Sequence, residues 1–257
     1  MVIYQKRNSM ARVGIILVCT RKYDVFLQQF IDSVEKLFFQ GEQVDVYLLT
    51  DKPNLPQKRS DRIDISVCAI PSYSFPWATL FRYKEITEYS MYLTAEHLFY
   101  SDIDMRFVAP VGEEILCDGI TAVRHPGFYH NNGWGSTHTH PQSLAYLKPE
   151  LRHEYYCGGF QGGRRTEYLN ACSLLSEMID IDLDTAKSIG YTDNHGILAQ
   201  WHDETMWNWY CKLNTPKKVL SPEYCMVEQK ELRLKWGIDN LTPKLIALSK
   251  DHKQIRS

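Results

Sequence analysis

Val13-Gly14-Ile15-Ile16-Leu17-Val18-Cys19 is apolar at nearly every position. A strand-length run without polar alternation predicts a parallel strand covered on both faces. A polar turn follows, Thr20-Arg21-Lys22-Tyr23. From Phe26 to Phe39, apolar residues at Phe26, Phe30, Val34 and Leu37 to Phe39 keep the spacing of an amphipathic helix. Val44 to Thr50 is the next strand, closed by Asp51-Lys52-Pro53, and Ile63 to Ile70 alternates into a third. Thr79 to Leu93 reads as a helix, and Leu98-Phe99-Tyr100 as a strand running straight into Ser101-Asp102-Ile103-Asp104. Strand, helix, strand, strand opens an α/β nucleotide-binding lobe. Beyond residue 110 the chain turns to loops rich in Gly, His and Tyr, with helices predicted over Leu174 to Lys187 and Asp203 to Cys211. No repeat, low-complexity tract or Pro-rich linker divides it, so residues 1–257 read as one domain built from lobes.

Composition narrows the function classes. Hydrophobic residues make up 44% of 257, enough for a core without disulfide or metal staples. The formal net charge of −2 offers no global field for nucleic acid or an anionic membrane, so any bound anion needs a local basic cluster. Seven scattered cysteines form no C-x-x-C motif, which suits a reduced, cytoplasmic protein. The polar, basic stretch Met1 to Arg12 and the short apolar run after it fit neither a signal peptide nor a membrane span.

The candidate chemistry begins at Asp102 and Asp104. Side chains two apart on extended backbone point the same way, so both carboxylates are expected on one side at the end of a buried strand. Ligands of open α/β sheets bind at that end. Two carboxylates there suit a hard cation, Mn²⁺ or Mg²⁺, shared with a diphosphate. An isolated D-x-D is more often a plain turn; the strand before it and the α/β pattern upstream bring the ligand reading level with that one.

Several further segments occur in order: Cys19-Thr20-Arg21-Lys22-Tyr23, Phe99 to Asp104, His125-Pro126-Gly127-Phe128-Tyr129, Pro141-Gln142-Ser143, Tyr155-Tyr156-Cys157-Gly158-Gly159-Phe160, Gly162-Gly163, Trp201-His202-Asp203-Glu204 and Val219 to Tyr224. Together they resemble the retaining α-1,3 glycosyltransferases that include the histo-blood-group A and B transferases and their bacterial and viral relatives. The resemblance implies a GT-A type α/β fold, with a Rossmann-like UDP-binding lobe at 11–110, a donor-sugar and acceptor lobe at 111–249, and a C-terminal lid at 250–257. It implies a UDP-sugar donor, a β-galactoside acceptor and α-1,3 linkage. Asp102 and Asp104 match the family's Mn²⁺ ligands, which many bacterial relatives replace with Asn.

Further roles follow from the same resemblance. Cys19, Thr20 and Tyr23 match the uridine contacts, with the Tyr23 ring against uracil. Arg82 matches an arginine beside the donor sugar and the D-x-D carboxylates. Cys157, Gly158 and Gly159 match the strip that separates N-acetylgalactosamine from galactose; glycine at the third position leaves room for an acetamido group. His202 and Asp203 match donor-sugar contacts. Glu204 matches the catalytic carboxylate under the anomeric carbon, also in reach of the acceptor. Outside that context it is a dipole-favoured helix N-terminal Glu. His125 matches an acceptor contact, and an acceptor-contacting Thr falls on Ser136 or Thr137. Val227 stands where mammalian members carry an acidic acceptor contact, with Glu228 next. Lys250 and Arg256 match tail residues that clamp the UDP phosphates, a lid that excludes water.

His138-Thr139-His140, with His130 and His153 nearby, raises zinc as an alternative, but no fourth ligand is evident and the loop's family role is acceptor contact. Two other functions stay open. One keeps the fold with another donor or acceptor in surface-polysaccharide synthesis; the other is a glycan- or nucleotide-sugar-binding protein without turnover.

Overall fold

The computed structural model describes residues 2–3, 12–54, 60–130, 135, 138, 140–151, 154–189 and 197–256. The strands are β1 (Val2–Ile3), β2 (Val13–Cys19), β3 (Val44–Thr50), β4 (Ile63–Ala69), β5 (His97–Asp102), β6 (Met105–Phe107), β7 (Ile120–Val123), β8 (Phe160–Arg164), β9 (Lys218–Leu220), β10 (Met226–Val227) and β11 (Leu245–Ala247). The helices are α1 (Leu27–Leu37), α2 (Trp77–Leu80), α3 (Arg82–Glu88), α4 (Arg165–Ser188), α5 (Asp203–Leu213), α6 (Lys230–Lys235) and α7 (His252–Arg256). The strands predicted at Val13, Val44 and Ile63 are present, and so is helix α1. The helix expected over Thr79 to Leu93 is broken at Phe81 into α2 and α3, and α4 begins nine residues before Leu174.

Eight strands form one sheet in the order β1-β4-β3-β2-β5-β8-β7-β9. β4, β3, β2 and β5 run parallel, whereas β8 is antiparallel to both β5 and β7. The sheet therefore crosses the lobe boundary expected near residue 110 without a break. Along β2, Ile16 and Val18 face one core cluster while Ile15 and Leu17 face the other. The two-residue period of a strand sends them to opposite faces, each covered by helices. A smaller sheet, β10-β11-β6, carries the chain back from the C-terminal region to the D-x-D turn.

From β2 the chain builds outward through β3 to β4, then returns to place β5 on the other side of β2. The strand order reverses between β2 and β5, and such a switch point opens a crevice at the carboxyl ends of the strands. Val18 pairs with Asp102 in this register, so the end of β2 and the D-x-D lie side by side at that crevice.

β8 lies between β5 and β7 with glycine at Gly162 and Gly163. A Cβ at Gly162 would collide with the Leu98 carbonyl and lie 2.7 Å from the Phe99 Cα. Gly163 adopts φ +146°, and a Cβ there would strike the Gly119 carbonyl. Backbone cannot yield as a side-chain tip can, so Gly162→Ala should lower unfolding free energy by about 3 kcal/mol or more. Urea denaturation of the two proteins measures this directly.

Candidate active site

Arg82, at the start of α3, is 2% exposed. Its guanidinium spends its donors on four partners: Nη2 to Asp102 Oδ1 at 3.1 Å, Nη1 to Asp203 Oδ2 at 3.0 Å, Nη1 to the Gly158 carbonyl at 3.1 Å, and Nε to the Thr79 carbonyl at 3.3 Å. The Tyr100 ring lies beneath it, 4.2 Å from Cζ to the centroid. A buried cation needs this many partners. Asp203 and the other neighbouring groups hold Arg82 protonated against its burial. Burial in turn pushes the Asp203 carboxyl up to about 7, with Arg82 opposing the rise.

Asp102 ends β5 and also accepts a 2.7 Å hydrogen bond from Tyr100 Oη on the oxygen that Arg82 uses. Asp104 lies not on extended backbone but in the turn between β5 and β6. The convergence of the two carboxylates on one crevice is therefore the work of the turn, not of strand alternation. Asp104 is 6% exposed, its Oδ2 paired with the Lys250 ammonium. Two carboxylates at the crevice, each already facing a cationic nitrogen, are hard donors fit for Mn²⁺ or Mg²⁺. Among the described residues no group of three His, Cys, Asp or Glu gathers into a complete protein cage. A metal held by Asp102 and Asp104 would draw its remaining ligands from substrate or water.

Thr20 and Tyr23 border the same crevice, on the turn leaving β2. That turn is held by the Arg21 N–H, 3.1 Å from each oxygen of Asp51, with Arg21 at φ 57°. The Cys19 side chain is 1% exposed in the core, where burial pushes the thiol up to about 12, and neighbouring Val18 lines the crevice. Strand alternation turns Cys19 inward. Cys157 is likewise buried, its thiol against Cys225 and the Phe160 carbonyl, so only its backbone belongs to the strip.

Gly158 and Gly159 lie where side chains would not fit freely. A Cβ on Gly158 would approach Asp203 Oδ2 to 2.7 Å, and one on Gly159 would lie 3.1 Å from Asp102 Oδ2 and 3.3 Å from Met105 Sδ. Position 159 thus faces the D-x-D carboxylate itself. The Gly158 N–H donates to Glu204 Oε2 at 2.8 Å. Through Gly158 and Arg82, Glu204 is thereby linked to Asp102 by successive hydrogen bonds.

Glu204 and Asp203 form the first turn of α5. His202, just before it, takes φ 51° and ψ −119°, an uncommon and strained conformation for a side-chain-bearing residue. Its ring meets Phe75 edge-on at 5.4 Å. Asn208, one turn past Glu204, clamps α5 to the strip: its Oδ1 accepts from Tyr156 N at 2.7 Å, and its Nδ2 donates to the Tyr156 and Glu204 carbonyls. Neither Asn208 nor Tyr100 was singled out from sequence, although Asn208 sits at the i+4 position from Glu204, a face-sharing interval.

His125 lies in the turn after β7, its ring 5.6 Å from Tyr155 and 4.9 Å from Phe128. Its Nδ1 accepts from the Gly127 N–H at 3.1 Å, which leaves the ring proton on Nε2. Burial lowers its pKa, opposed by Glu204, so the neutral imidazole presents an N–H donor near that carboxylate. Ser136, Thr137, Thr139 and His153 lie outside the described residues. His130 meets the Gly237 carbonyl at 3.0 Å, while His138 and His140 accept backbone N–H groups at Gln200 and Gln142, so the described histidines do not assemble a zinc site. Lys250 borders the crevice; Arg256 ends α7, its side chain outside the described residues. No helix among the described residues is long and apolar enough to cross a membrane.

Removing the guanidinium strands the buried Asp203 carboxylate and leaves half-buried Asp102 without its partner. Arg82→Ala should cost about 3–5 kcal/mol of unfolding free energy, and Arg82→Lys, which keeps charge but not the fork, should recover only part of it. Chemical denaturation of both variants is the measurement.

Comparison with known proteins gives a consistent result. The glycosyltransferase family 6 profile matches residues 2–257. The chain is 31% identical over 255 residues to the histo-blood group ABO system transferase 1 of Rattus norvegicus, covering 95% of this chain and 68% of that one. It is 30% identical to the rat ABO system transferase 2, covering 99% and 73%. To the globoside alpha-1,3-N-acetylgalactosaminyltransferase 1 of Mus musculus it is 31% identical over 88% of this chain and 64% of that protein. A switch-point crevice carrying the D-x-D pair and a linked glutamate, matched end to end by that profile, shows that this chain belongs to glycosyltransferase family 6.

Proposed function

We propose that the protein is a metal-dependent retaining transferase that moves N-acetylgalactosamine or galactose from a UDP-sugar to the 3-hydroxyl of a β-galactoside. The observation that carries this reading is the hydrogen-bonded series Glu204–Gly158–Arg82–Asp102, which ties a carboxylate facing the strip to the D-x-D. A protein that only bound glycans would have no use for a reactive carboxylate coupled in this way. Names of relatives point to the same donors: an alpha-1,3-N-acetylgalactosaminyltransferase in mouse and an alpha-1,3-galactosyltransferase in human.

In this reading the uridine lies against Thr20 and Tyr23, and the diphosphate spans toward Lys250 and Arg256. A divalent ion held by Asp102 and Asp104 supplies stabilisation of negative charge on the departing diphosphate. Arg82 fixes the floor of the donor-sugar site, while His202 and Asp203 meet the sugar hydroxyls. Glu204 faces the anomeric carbon, where a carboxylate attacks it or stabilises positive charge as the acceptor enters on the same face. His125 donates its Nε2 proton to an acceptor hydroxyl. The tail excludes water.

Glycine at 159 favours UDP-N-acetylgalactosamine, since in the family's strip it leaves room for the acetamido group that a methyl would crowd. A different acceptor from that of the mammalian members is favoured by Val227: no carboxylate stands at that position, and the adjacent Glu228 is engaged with the Ser249 N–H at 2.8 Å.

The test is sugar transfer from UDP-N-acetylgalactosamine and UDP-galactose to a galactoside panel, with Mn²⁺ or with chelator, and the anomeric configuration read by NMR. Transfer that proceeds undiminished with chelator, or with inversion, contradicts the reading. Glu204→Ala should retain UDP binding by calorimetry yet lose at least about 10²-fold in turnover. Asp203 is ionised above about 7 and takes up its proton below, so kcat/KM should fall on the acid side of that value. An Asp203→Asn profile without this acid limb would assign the fall to Asp203.

A further inference from the structure

Strand pairing sets the path of the tail. β11 runs antiparallel to β6 with Ala247 opposite Met105, and the Leu248 N–H donates to the Asp104 carbonyl at 2.9 Å. Ser249 N is held by Glu228 Oε2 at 2.8 Å. The next residue, Lys250, is thereby delivered to the D-x-D turn by backbone register. Its ammonium rests on Asp104 Oδ2 and lies 5.2 Å from the centroid of the Tyr23 ring. The two side chains are only 16% and 8% exposed, so water and salt screen the pair little. Past Lys250, α7 packs on the turn after β2, where Lys22 Nζ donates to the Gln254 carbonyl at 3.1 Å and Ile255 joins the core cluster beside Tyr23.

Each D-x-D carboxylate therefore carries its own organic cation, but the two are held differently. Arg82 is locked by two carboxylates, two carbonyls and an aromatic face. Lys250 is a point charge on a flexible stem, and its ammonium is readily transferred to another anion. A divalent ion placed on Asp104 Oδ2 would repel the ammonium that already rests there.

We infer that Lys250 competes with the divalent ion for Asp104, so that the protein's own tail holds metal affinity low until a nucleotide diphosphate draws the ammonium away. This rests on the metal-dependent reading above and adds to it a coupling between two ligands. A diphosphate offers Lys250 replacement oxygens, and releasing Asp104 strengthens metal binding. By linkage, the metal strengthens diphosphate binding by the same factor.

The experiment titrates Mn²⁺ into the full chain and follows free Mn²⁺ by electron paramagnetic resonance, first without and then with saturating UDP. Without UDP, Lys250→Met should bind Mn²⁺ about tenfold or more tightly than the unaltered protein, and Lys250→Arg should not. Adding UDP should tighten Mn²⁺ binding to the unaltered protein by a larger factor than to Lys250→Met. A chain ending at Ser249 gives a second route that removes the ammonium without a core substitution, and it should show the same tightening. Equal or weaker Mn²⁺ binding in both Lys250→Met and the shortened chain overturns the competition and leaves the metal reading intact. Failure of every protein to bind Mn²⁺, with or without UDP, overturns both.

Discussion

A buried guanidinium between two carboxylates is the constraint on which the rest of the site depends. Arg82 contacts β5 through Asp102, α5 through Asp203, the glycine strip through the Gly158 carbonyl, and α2 through Thr79. Three segments distant in sequence are thus held, with the local turn at Thr79, to one planar fork of donors, and a guanidinium suits this where an ammonium would not. The cost of burying that charge is offset only with all partners present. The same arrangement that stabilises the centre therefore also sets the positions of the D-x-D and of α5.

α5 answers to a second set of restraints. Asn208 ties its second turn to Tyr156, the Gly158 N–H holds Glu204, and His202 absorbs the strain of the entry in an unfavourable backbone conformation. The Glu204 carboxylate is oriented by backbone and not left to its own rotamers, as a group that must face one carbon of a substrate requires. Glycine at 158 and 159 is what lets strip, helix and D-x-D lie this close: each missing Cβ would otherwise fall against Asp203 or Asp102.

The small sheet gives the site its closing side. β6 leaves directly from the D-x-D turn, and β11 pairs with it, so the C-terminal segment reaches Asp104 by strand register over a sequence separation of well over a hundred residues. The tail's docking on the turn after β2 then joins both edges of the crevice, the Tyr23 side and the Asp104 side, through one short segment.

The half of the fold up to Asp102 was legible because its signals are local. Val13 to Cys19 is buried on both faces and so is apolar at nearly every position, Val44 to Thr50 is apolar apart from half-buried Asp45 and the terminal Thr50, and Leu27, Phe30, Ile31 and Val34 of α1 repeat at helical spacing. β7, β8 and β9 were not, since short strands such as Phe160–Arg164, with glycine at two of five positions, carry no period to read. Among site residues, Asp102 and Asp104 stood out by motif, whereas Arg82, Glu204, His125 and Lys250 were named through the match of their segments, in order, to the family. Only the folded chain decided that Asp104 sits in a turn, that the side chains of Cys19 and Cys157 turn into the core, and that Lys250 meets Asp104. Motif and periodicity are properties of neighbours along the backbone, whereas which cation faces which carboxylate depends on the register of strands brought together from distant parts of the chain.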